Sequence, residues 1–261
     1  MASRPLAASL TGPADAPVLV LGDSLGTSRA VWDAQASALE QNFRLLRYEL
    51  PGHGGSAAWP GNSYELADLG AGVLGVLNSY GIERASYCGV SIGGMIGMWL
   101  AAHAPDRIAA LGLVCTSAFL PPAEGWRARA AQVLAAGPAS ISAAVLGRWF
   151  TPAYAAAHPA VIAAFRAEFE RTDPAGYAGC CHAIAGLDLR PDLASIAAPT
   201  LVIAGADDPA TPAAHGEAIA AGIGGARLLV VPDAAHLAPV SAPDIVTPAL
   251  ADHLLAQARD Q

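Results

Sequence analysis

The chain has 261 residues, of which 54% are hydrophobic and 14% charged, so it can bury a large core and is not a disordered chain. Its formal net charge of −8 disfavours a nucleic-acid partner. The cysteines and histidines show no spacing typical of a zinc site, and we predict no metal and no cofactor. No apolar run reaches the roughly 18 residues of a membrane span. The first residues also lack the apolar segment of a signal peptide, so we expect a cytoplasmic protein without a membrane partner.

Short apolar runs alternate with helical patterns along most of the chain. In chain order, strands are predicted at 18–22, 43–48, 85–90, 108–115, 199–205 and 227–231, and helices at 31–39, 64–80, 95–102, 212–221 and 243–256. This alternation predicts an α/β fold, with a mainly parallel central sheet and helices on both of its faces.

The pattern changes between residues 119 and 189, where no run is typical of a buried strand. Helical stretches are predicted at 126–135 and 160–171. Prolines interrupt the helical pattern at Pro138, Pro152, Pro159 and Pro174. The segment carries too many apolar and aromatic side chains to lie free in solvent. We therefore expect a helical cap at 119–189, inserted between a first core part at 1–118 and a second at 190–261.

The strand predicted at 85–90 ends in the pentapeptide Gly89-Val90-Ser91-Ile92-Gly93, and a helical pattern follows it. Gly-x-Ser-x-Gly between a strand and a helix is the nucleophile-elbow pattern, in which a strained turn holds the serine hydroxyl out of the sheet. The residues two positions either side of the serine must be small, so that strand and helix can approach. The pattern predicts Ser91 as a nucleophile and the N–H of Ile92 as an oxyanion donor.

Two further polar residues follow predicted strands, at the edge where a parallel sheet places its working side chains. Asp208 lies three residues beyond Gly205, and His236 follows the last predicted strand. The order Ser, Asp, His is that of α/β-hydrolase triads, in which the histidine takes the serine proton and the acid orients the imidazole. Asp207 is the alternative acid, and its other interpretation is a solvated turn residue.

The loop after the first predicted strand is expected to supply a second oxyanion donor, the N–H of Leu25. His53 is expected to be a structural, hydrogen-bonded histidine and not the catalytic base. Trp126, Arg148 and Trp149 are the predicted substrate-binding residues, although cap aromatics serve first to pack the core. Arg148 is the first candidate to bind an anionic substrate group. Six arginines are counted with the cap, and we expect most of them to be solvated and one or two to bind an anionic substrate group. They are Arg127, Arg129, Arg148, Arg166, Arg171 and Arg190.

Blocks of the sequence spread over nearly the whole chain carry a family resemblance. They are 23–27 with Trp32 and Gln35, 46–48, 52–56, 88–95, 148–151, 172–173, 176–177, 181, 183–184 and 188–190. This set resembles the 3-oxoadipate enol-lactonases of the α/β-hydrolase superfamily. The resemblance implies that a small anionic enol-lactone is opened to 3-oxoadipate in aromatic (protocatechuate or catechol) catabolism. It transfers the roles of nucleophile, base and acid to Ser91, His236 and Asp208, with an acyl-enzyme on the serine.

Two positions depart from the family's pattern. Family members often have asparagine where Asp23 stands, and often an arginine before Gly-His-Gly, where this chain has Leu50-Pro51. A carboxylate beside the oxyanion loop would repel both the oxyanion and an anionic substrate. We therefore expect Asp23 to turn away from the site or to be held by hydrogen-bond donors.

Two other functions remain compatible with the sequence. One is a general carboxylesterase or other acyl hydrolase with the same triad and a different pocket. The other is a ligand-binding α/β-hydrolase homologue with little turnover. A haloalkane dehalogenase is disfavoured because the elbow residue is Ser91 and not an aspartate.

Overall fold

Within residues 5–258, the part of the chain that the computed structural model describes, seven strands form a single sheet. They are β1 (Ala8–Thr11), β2 (Val18–Gly22), β3 (Arg44–Tyr48), β4 (Ala85–Val90), β5 (Ile108–Val114), β6 (Thr200–Gly205) and β7 (Arg227–Val231). Their spatial order is β1-β3-β2-β4-β5-β6-β7. The pair β1–β3 is antiparallel, and every other pair is parallel. The predicted mainly parallel sheet is thus confirmed.

Helices surround this sheet. They are α1 (Asp33–Leu39), α2 (Leu66–Ser79), α3 (Ile92–His103), α4 (Ala123–Ala136), α5 (Ser142–Trp149), α6 (Pro152–Ala157), α7 (Pro159–Glu170), α8 (Pro174–Ala185), α9 (Ala213–Gly222), α10 (Ala238–Ser241) and α11 (Pro243–Ala258). Every residue of β4, β5 and β6 is buried, and successive strand side chains point to opposite faces. The central strands are therefore covered on both faces. Among the helices of residues 5–258, none combines the length and the apolarity needed to cross a bilayer.

The helices α4 to α8 follow one another between β5 and β6. Pro152, Pro159 and Pro174 each occupy the first position of a helix, in α6, α7 and α8. A proline suits that position, because its missing N–H would have no partner within the helix. These three prolines thus begin helices. The first helix of the group, α4, packs against the last, α8.

The parallel strands bring four loops to one edge of the sheet. The loops after β2, β4, β6 and β7 carry Leu25, Ser91, Asp208 and His236, respectively. This edge, facing the helices α4 to α8, is where open α/β sheets bind their ligands.

Candidate active site

Ser91 forms the sharp turn between β4 and α3. Its φ of 57° and ψ of −121° place a residue with a side chain in a strained region of backbone conformation, as the nucleophile-elbow pattern predicts. Its N–H donates to the carbonyl of Val114 at 2.9 Å. Thr116 Oγ1 donates to the carbonyl of Ser91 at 2.6 Å. Hydrogen bonds on both sides of the residue therefore hold the strained turn in place.

The glycines of the elbow are required by close backbone contacts. A Cβ on Gly89 would lie 2.2 Å from the carbonyl carbon of Gly93. A Cβ on Gly93 would lie 2.5 Å from the carbonyl oxygen of Gly22. The N–H of Gly93 donates to the carbonyl of Asp23 at 3.1 Å. The absence of side chains thus lets the first loop, the strand and the helix meet around Ser91.

The structure brings Ser91, His236 and Asp208 into one hydrogen-bonded chain. His236 Nε2 lies 2.8 Å from Ser91 Oγ, and His236 Nδ1 lies 2.8 Å from Asp208 Oδ2. All three side chains are buried. Because a carboxylate can only accept a hydrogen bond, the imidazole proton belongs on Nδ1, and Nε2 is free to accept the serine proton.

Asp208 faces inward, whereas Asp207 is exposed. Asp208 Oδ1 accepts from the N–H groups of Ala210 at 2.8 Å and Thr211 at 3.1 Å. Its Oδ2 accepts from Thr211 Oγ1 at 2.7 Å, in addition to His236. Burial by itself would raise the pKa of Asp208, but the interaction with His236 and these hydrogen bonds hold the pKa below its usual value. Asp208 is therefore an ionised partner for the imidazole.

Two backbone donors lie beside this chain of side chains. Ile92 begins α3 directly after Ser91, and Leu25 belongs to the loop after β2. Thr27 shapes that loop, because its Oγ1 accepts from the N–H of Ser24 at 3.1 Å and donates to the carbonyl of Ser24 at 3.0 Å. No acceptor within residues 5–258 takes the N–H of Leu25 or of Ile92. Their role as oxyanion donors stays a prediction.

A cavity of about 280 Å³ opens over Ser91. Trp126, Arg148 and Trp149, the three predicted substrate-binding residues, all line it. Arg129, one of the six arginines considered from the sequence, lines it as well, and so does Tyr177, for which the sequence predicted no binding role. The guanidinium of Arg129 lies 4.5 Å from the ring centre of Trp126, within reach of a cation–π contact. The cavity therefore combines aromatic walls with two cationic side chains.

Arg129 and Arg148 give the cavity its electrostatic character. Burial lowers the pKa of Arg148, and the neighbouring charge of Arg129 lowers it further. Burial raises the pKa of Tyr177, and both arginine charges oppose that rise. Within residues 5–258, neither arginine forms an ion pair with a carboxylate. Among these residues, the positive charges of the two guanidinium groups are therefore not neutralised by an acidic side chain.

The segment that carries His236 is hydrogen-bonded to the end of α5, which also lines the cavity. The N–H of His236 donates to the carbonyl of Arg148 at 3.4 Å, and the N–H of Leu237 donates to the carbonyl of Trp149 at 3.0 Å. These carbonyls lie at the end of α5, where a helix leaves its last acceptors unpaired. The end of α5 therefore helps to fix the position of the imidazole.

His53 lies apart from the hydrogen-bonded chain of Ser91. It is fully buried, and its Nδ1 donates to the carbonyl of Pro51 at 2.9 Å. Its Nε2 has no hydrogen-bond partner within residues 5–258. Burial lowers the pKa of His53 to about 4. His53 is thus a neutral histidine that holds its own loop, as the sequence led us to expect.

Asp23 is fully buried, and among residues 5–258 neither of its carboxyl oxygens has a hydrogen-bond partner. Of the two arrangements expected for Asp23, the one in which hydrogen-bond donors hold the carboxylate is therefore wrong. Burial raises the pKa of Asp23 well above its usual value, the charges of Glu49 and Glu168 raise it further, and Arg47 and Arg29 oppose the rise. These effects favour the uncharged form of Asp23, and its side chain does not line the cavity over Ser91.

The chain is similar to known proteins over most of its length. The model of the α/β hydrolase fold matches residues 17–148, and a model of TAP-like proteins matches residues 176–259. The 3-oxoadipate enol-lactonase 2 of Acinetobacter baylyi is 36% identical over 232 residues, which are 89% of this chain and 86% of that protein.

Two solved structures are similar over almost the same span. The enol-lactonase from Burkholderia xenovorans LB400 has a TM-score of 0.93 at 40% identity, over 96% of each chain. A thermophilic esterase from Thermogutta terrifontis, with malate bound, has a TM-score of 0.90 at 30% identity, over 97% of this chain and 93% of that chain. The chain therefore belongs to the 3-oxoadipate enol-lactonase family of the α/β-hydrolase superfamily, and it is a hydrolase.

Proposed function

We propose that the chain opens 3-oxoadipate enol-lactone to 3-oxoadipate, a step of aromatic catabolism, through an acyl-enzyme on Ser91. The observation that carries this proposal is one cavity lined by Ser91 and His236 and also by Arg129 and Arg148. His236 is hydrogen-bonded to Ser91 and Asp208, and within residues 5–258 neither arginine has a carboxylate partner. The hydrogen-bonded chain suits the cleavage of an ester, and the arginines suit a substrate that bears a carboxylate. The enol-lactonase relatives support the lactone as the ester.

The first half of the reaction acylates the serine. Ser91 Oγ attacks the lactone carbonyl carbon while His236 Nε2 removes its proton, and Asp208 stabilises the imidazolium that forms. The N–H groups of Leu25 and Ile92 donate to the oxyanion. The bond between the carbonyl carbon and the ring oxygen then breaks. The ring oxygen leaves as an enol that takes its proton from His236 and tautomerises to a ketone, so the leaving group is a good one.

The second half releases the product. His236 removes a proton from a water molecule as that water attacks the acyl carbon, and the same two N–H groups hold the second oxyanion. The bond to Ser91 Oγ breaks, and His236 returns the proton to the serine. The product is a dicarboxylate, which forms without any redox step.

The substrate carboxylate is bound by Arg129 and Arg148, from α4 and α5. Their two guanidiniums can donate several hydrogen bonds in fixed directions, which suits a carboxylate better than a single ammonium would. Trp126 and Trp149 cover the apolar part of the lactone. A cavity of about 280 Å³ is at the small end of ligand pockets, in keeping with a substrate of this size.

The test follows the loss of the ultraviolet absorbance of the enol-lactone, generated in situ because it hydrolyses spontaneously. Wild type is compared with Ser91→Ala and with Ser117→Ala. Ser117 is a matched control, since its Oγ also lies 2.7 Å from a histidine nitrogen, Nδ1 of His215, but outside the cavity. We expect fast loss with wild type and Ser117→Ala, and loss at the blank rate with Ser91→Ala.

A general carboxylesterase is the second candidate, favoured by the likeness to the Thermogutta terrifontis esterase. Blank-rate loss of the lactone together with fast hydrolysis of neutral aryl esters would establish it in place of the lactonase. Tight binding of the lactone without turnover of either substrate would indicate a ligand-binding homologue.

A further inference from the structure

Thr211 contacts both members of the acid–base pair. It lies in the loop between β6 and α9, is 2% exposed and lines the cavity over Ser91. Its Oγ1 lies 2.7 Å from Asp208 Oδ2 and 3.3 Å from His236 Nδ1. Its backbone N–H donates to Asp208 Oδ1 at 3.1 Å. One residue therefore reaches both oxygens of the acid and the nitrogen that the acid binds.

The positions of the protons follow from the donors and acceptors. His236 Nδ1 carries the imidazole proton, because Nε2 has to accept the proton of Ser91. The carboxylate of Asp208 has no proton to give, so the hydroxyl of Thr211 donates its single proton to Oδ2. Oδ2 thus accepts from Nδ1 and from Oγ1. A rotation of the carboxylate that takes Oδ2 away from the imidazole breaks both hydrogen bonds together.

We propose that Thr211 is a positioning residue, whose hydroxyl holds Asp208 Oδ2 on the imidazole of His236 and so keeps Nε2 directed at Ser91. The inference rests on the proposed triad but not on the identity of the lactone. The hydroxyl also withdraws negative charge from Oδ2 by hydrogen bonding to it. Without the hydroxyl, the negative charge stays on Oδ2 and the carboxylate attracts the imidazolium more strongly.

The test separates the hydroxyl of Thr211 from its shape. Thr211→Val keeps the branched shape and removes the hydroxyl, whereas Thr211→Ser keeps the hydroxyl and removes the methyl group. Thr211→Ala is a second variant without a hydroxyl, in case the valine variant does not fold. The measurement is kcat/KM against pH for a neutral aryl ester, so that the result does not depend on which lactone is the substrate.

We expect Thr211→Val and Thr211→Ala to lower kcat/KM by about 10- to 100-fold, the range for one hydrogen bond to a charged group. We also expect the acid limb of their profiles to move to higher pH. Thr211→Ser should stay within about threefold of wild type, with an unmoved acid limb. A merely structural role would leave the acid limb in place in all three variants.

The proposal is overturned if the variants without a hydroxyl match wild type, or if Thr211→Ser loses as much activity as Thr211→Val. Ser91→Ala is assayed beside them on the same ester. Full ester turnover by Ser91→Ala would overturn the triad, and the role of Thr211 with it. Failure to open the enol-lactone, with normal ester turnover, would overturn the proposed substrate alone.

Discussion

Asp208 Oδ2 lies 2.8 Å from His236 Nδ1, whereas the neighbouring residue Asp207 is exposed to solvent. The loop after β6 turns inward at Asp208, because the N–H groups of Ala210 and Thr211 bind its Oδ1. At Asp207 the loop uses its own N–H instead, which donates to the carbonyl of Ala234 at 2.9 Å. Two carboxylates that are adjacent in sequence therefore have different roles.

Replacing the carboxylate by an amide should therefore lower activity at Asp208 far more than at Asp207. Asp208→Asn should lower kcat by about 10⁴-fold, because an amide that donates a hydrogen bond to Nδ1 stabilises the wrong tautomer of the imidazole. Asp207→Asn is the matched control and should keep activity within about threefold. Both are measured as kcat for a neutral aryl ester. A large loss in Asp207→Asn with a small one in Asp208→Asn would contradict the arrangement.

Substitution of Arg129 or Arg148 should affect KM for an anionic substrate more than KM for a neutral one. Arg129→Gln and Arg148→Gln should each raise KM for the anionic enol-lactone by about 10- to 100-fold, because each removes a charge-assisted contact. KM for a neutral aryl ester should change little. Arg127→Gln is the control, since Arg127 is exposed on α4 and lies 3.5 Å from Glu124. Equal losses on both substrates would show that the arginines support the fold and not the carboxylate.

Because Asp23 is buried, its contribution to the free energy of unfolding should fall as pH rises. The folded chain keeps this acid protonated, whereas the unfolded chain releases the proton near its ordinary pKa of about 3.9. Above that pH the folded state binds more protons, so every further rise in pH lowers the free energy of unfolding until the raised pKa is reached. Asp23→Asn removes this cost, and its melting temperature should exceed that of wild type by a margin that grows from acid to neutral pH.

Thermal unfolding at several pH values measures that margin. Asp15→Asn, at an exposed position, is the control and should show none. Activity at neutral pH should be nearly the same in wild type and Asp23→Asn, because burial favours the uncharged form of Asp23 and its side chain does not line the cavity over Ser91. A manyfold gain in activity would show instead that Asp23 is ionised and repels the oxyanion.

The contribution of His53 to the free energy of unfolding should depend on pH in the opposite direction. Its pKa is lowered from 6.5 to about 4 by burial, so the folded chain binds fewer protons than the unfolded chain between these values. The contribution of His53 to the free energy of unfolding is complete above pH 6.5. It is lost as pH falls toward 4, by up to about 3 kcal/mol. His53→Gln cannot titrate and should lose less of its free energy of unfolding over this interval.

Denaturant unfolding at both ends of the interval checks this loss. His103→Gln, at an exposed position of α3, is the control and should behave as wild type does. Equal losses in wild type and His53→Gln would contradict a neutral, buried His53.

The core of the fold could be predicted from the sequence because buried parallel strands are continuous apolar runs. The predicted bounds of the buried strands β2 and β4 are those of the structure. The short strand β1 was not predicted. It has four residues, lies at the edge of the sheet and is partly exposed, so its pattern is too weak to separate from a loop. It forms a strand because it pairs with β3.

The binding side of the site could be predicted only in part. Arg148 stands next to Trp149 in the sequence, whereas Arg129 and Tyr177 enter the cavity because α4 packs against α8. No local pattern separates Arg129 from Arg127, two positions earlier, which is exposed. The uncharged state of Asp23 also depends on burial beside residues distant in sequence.

The bonds from His236 and Leu237 to the carbonyls of Arg148 and Trp149 bear on how this enzyme can be re-engineered. A chimera that takes the helices between β5 and β6 from another hydrolase also takes the acceptors that hold the base. A shift of one residue at the end of α5 would move the imidazole of His236 away from Ser91. Replacing these helices to change the substrate preference should therefore also change the catalytic rate. Such a chimera should keep the hydrogen bonds between residues 148–149 and 236–237.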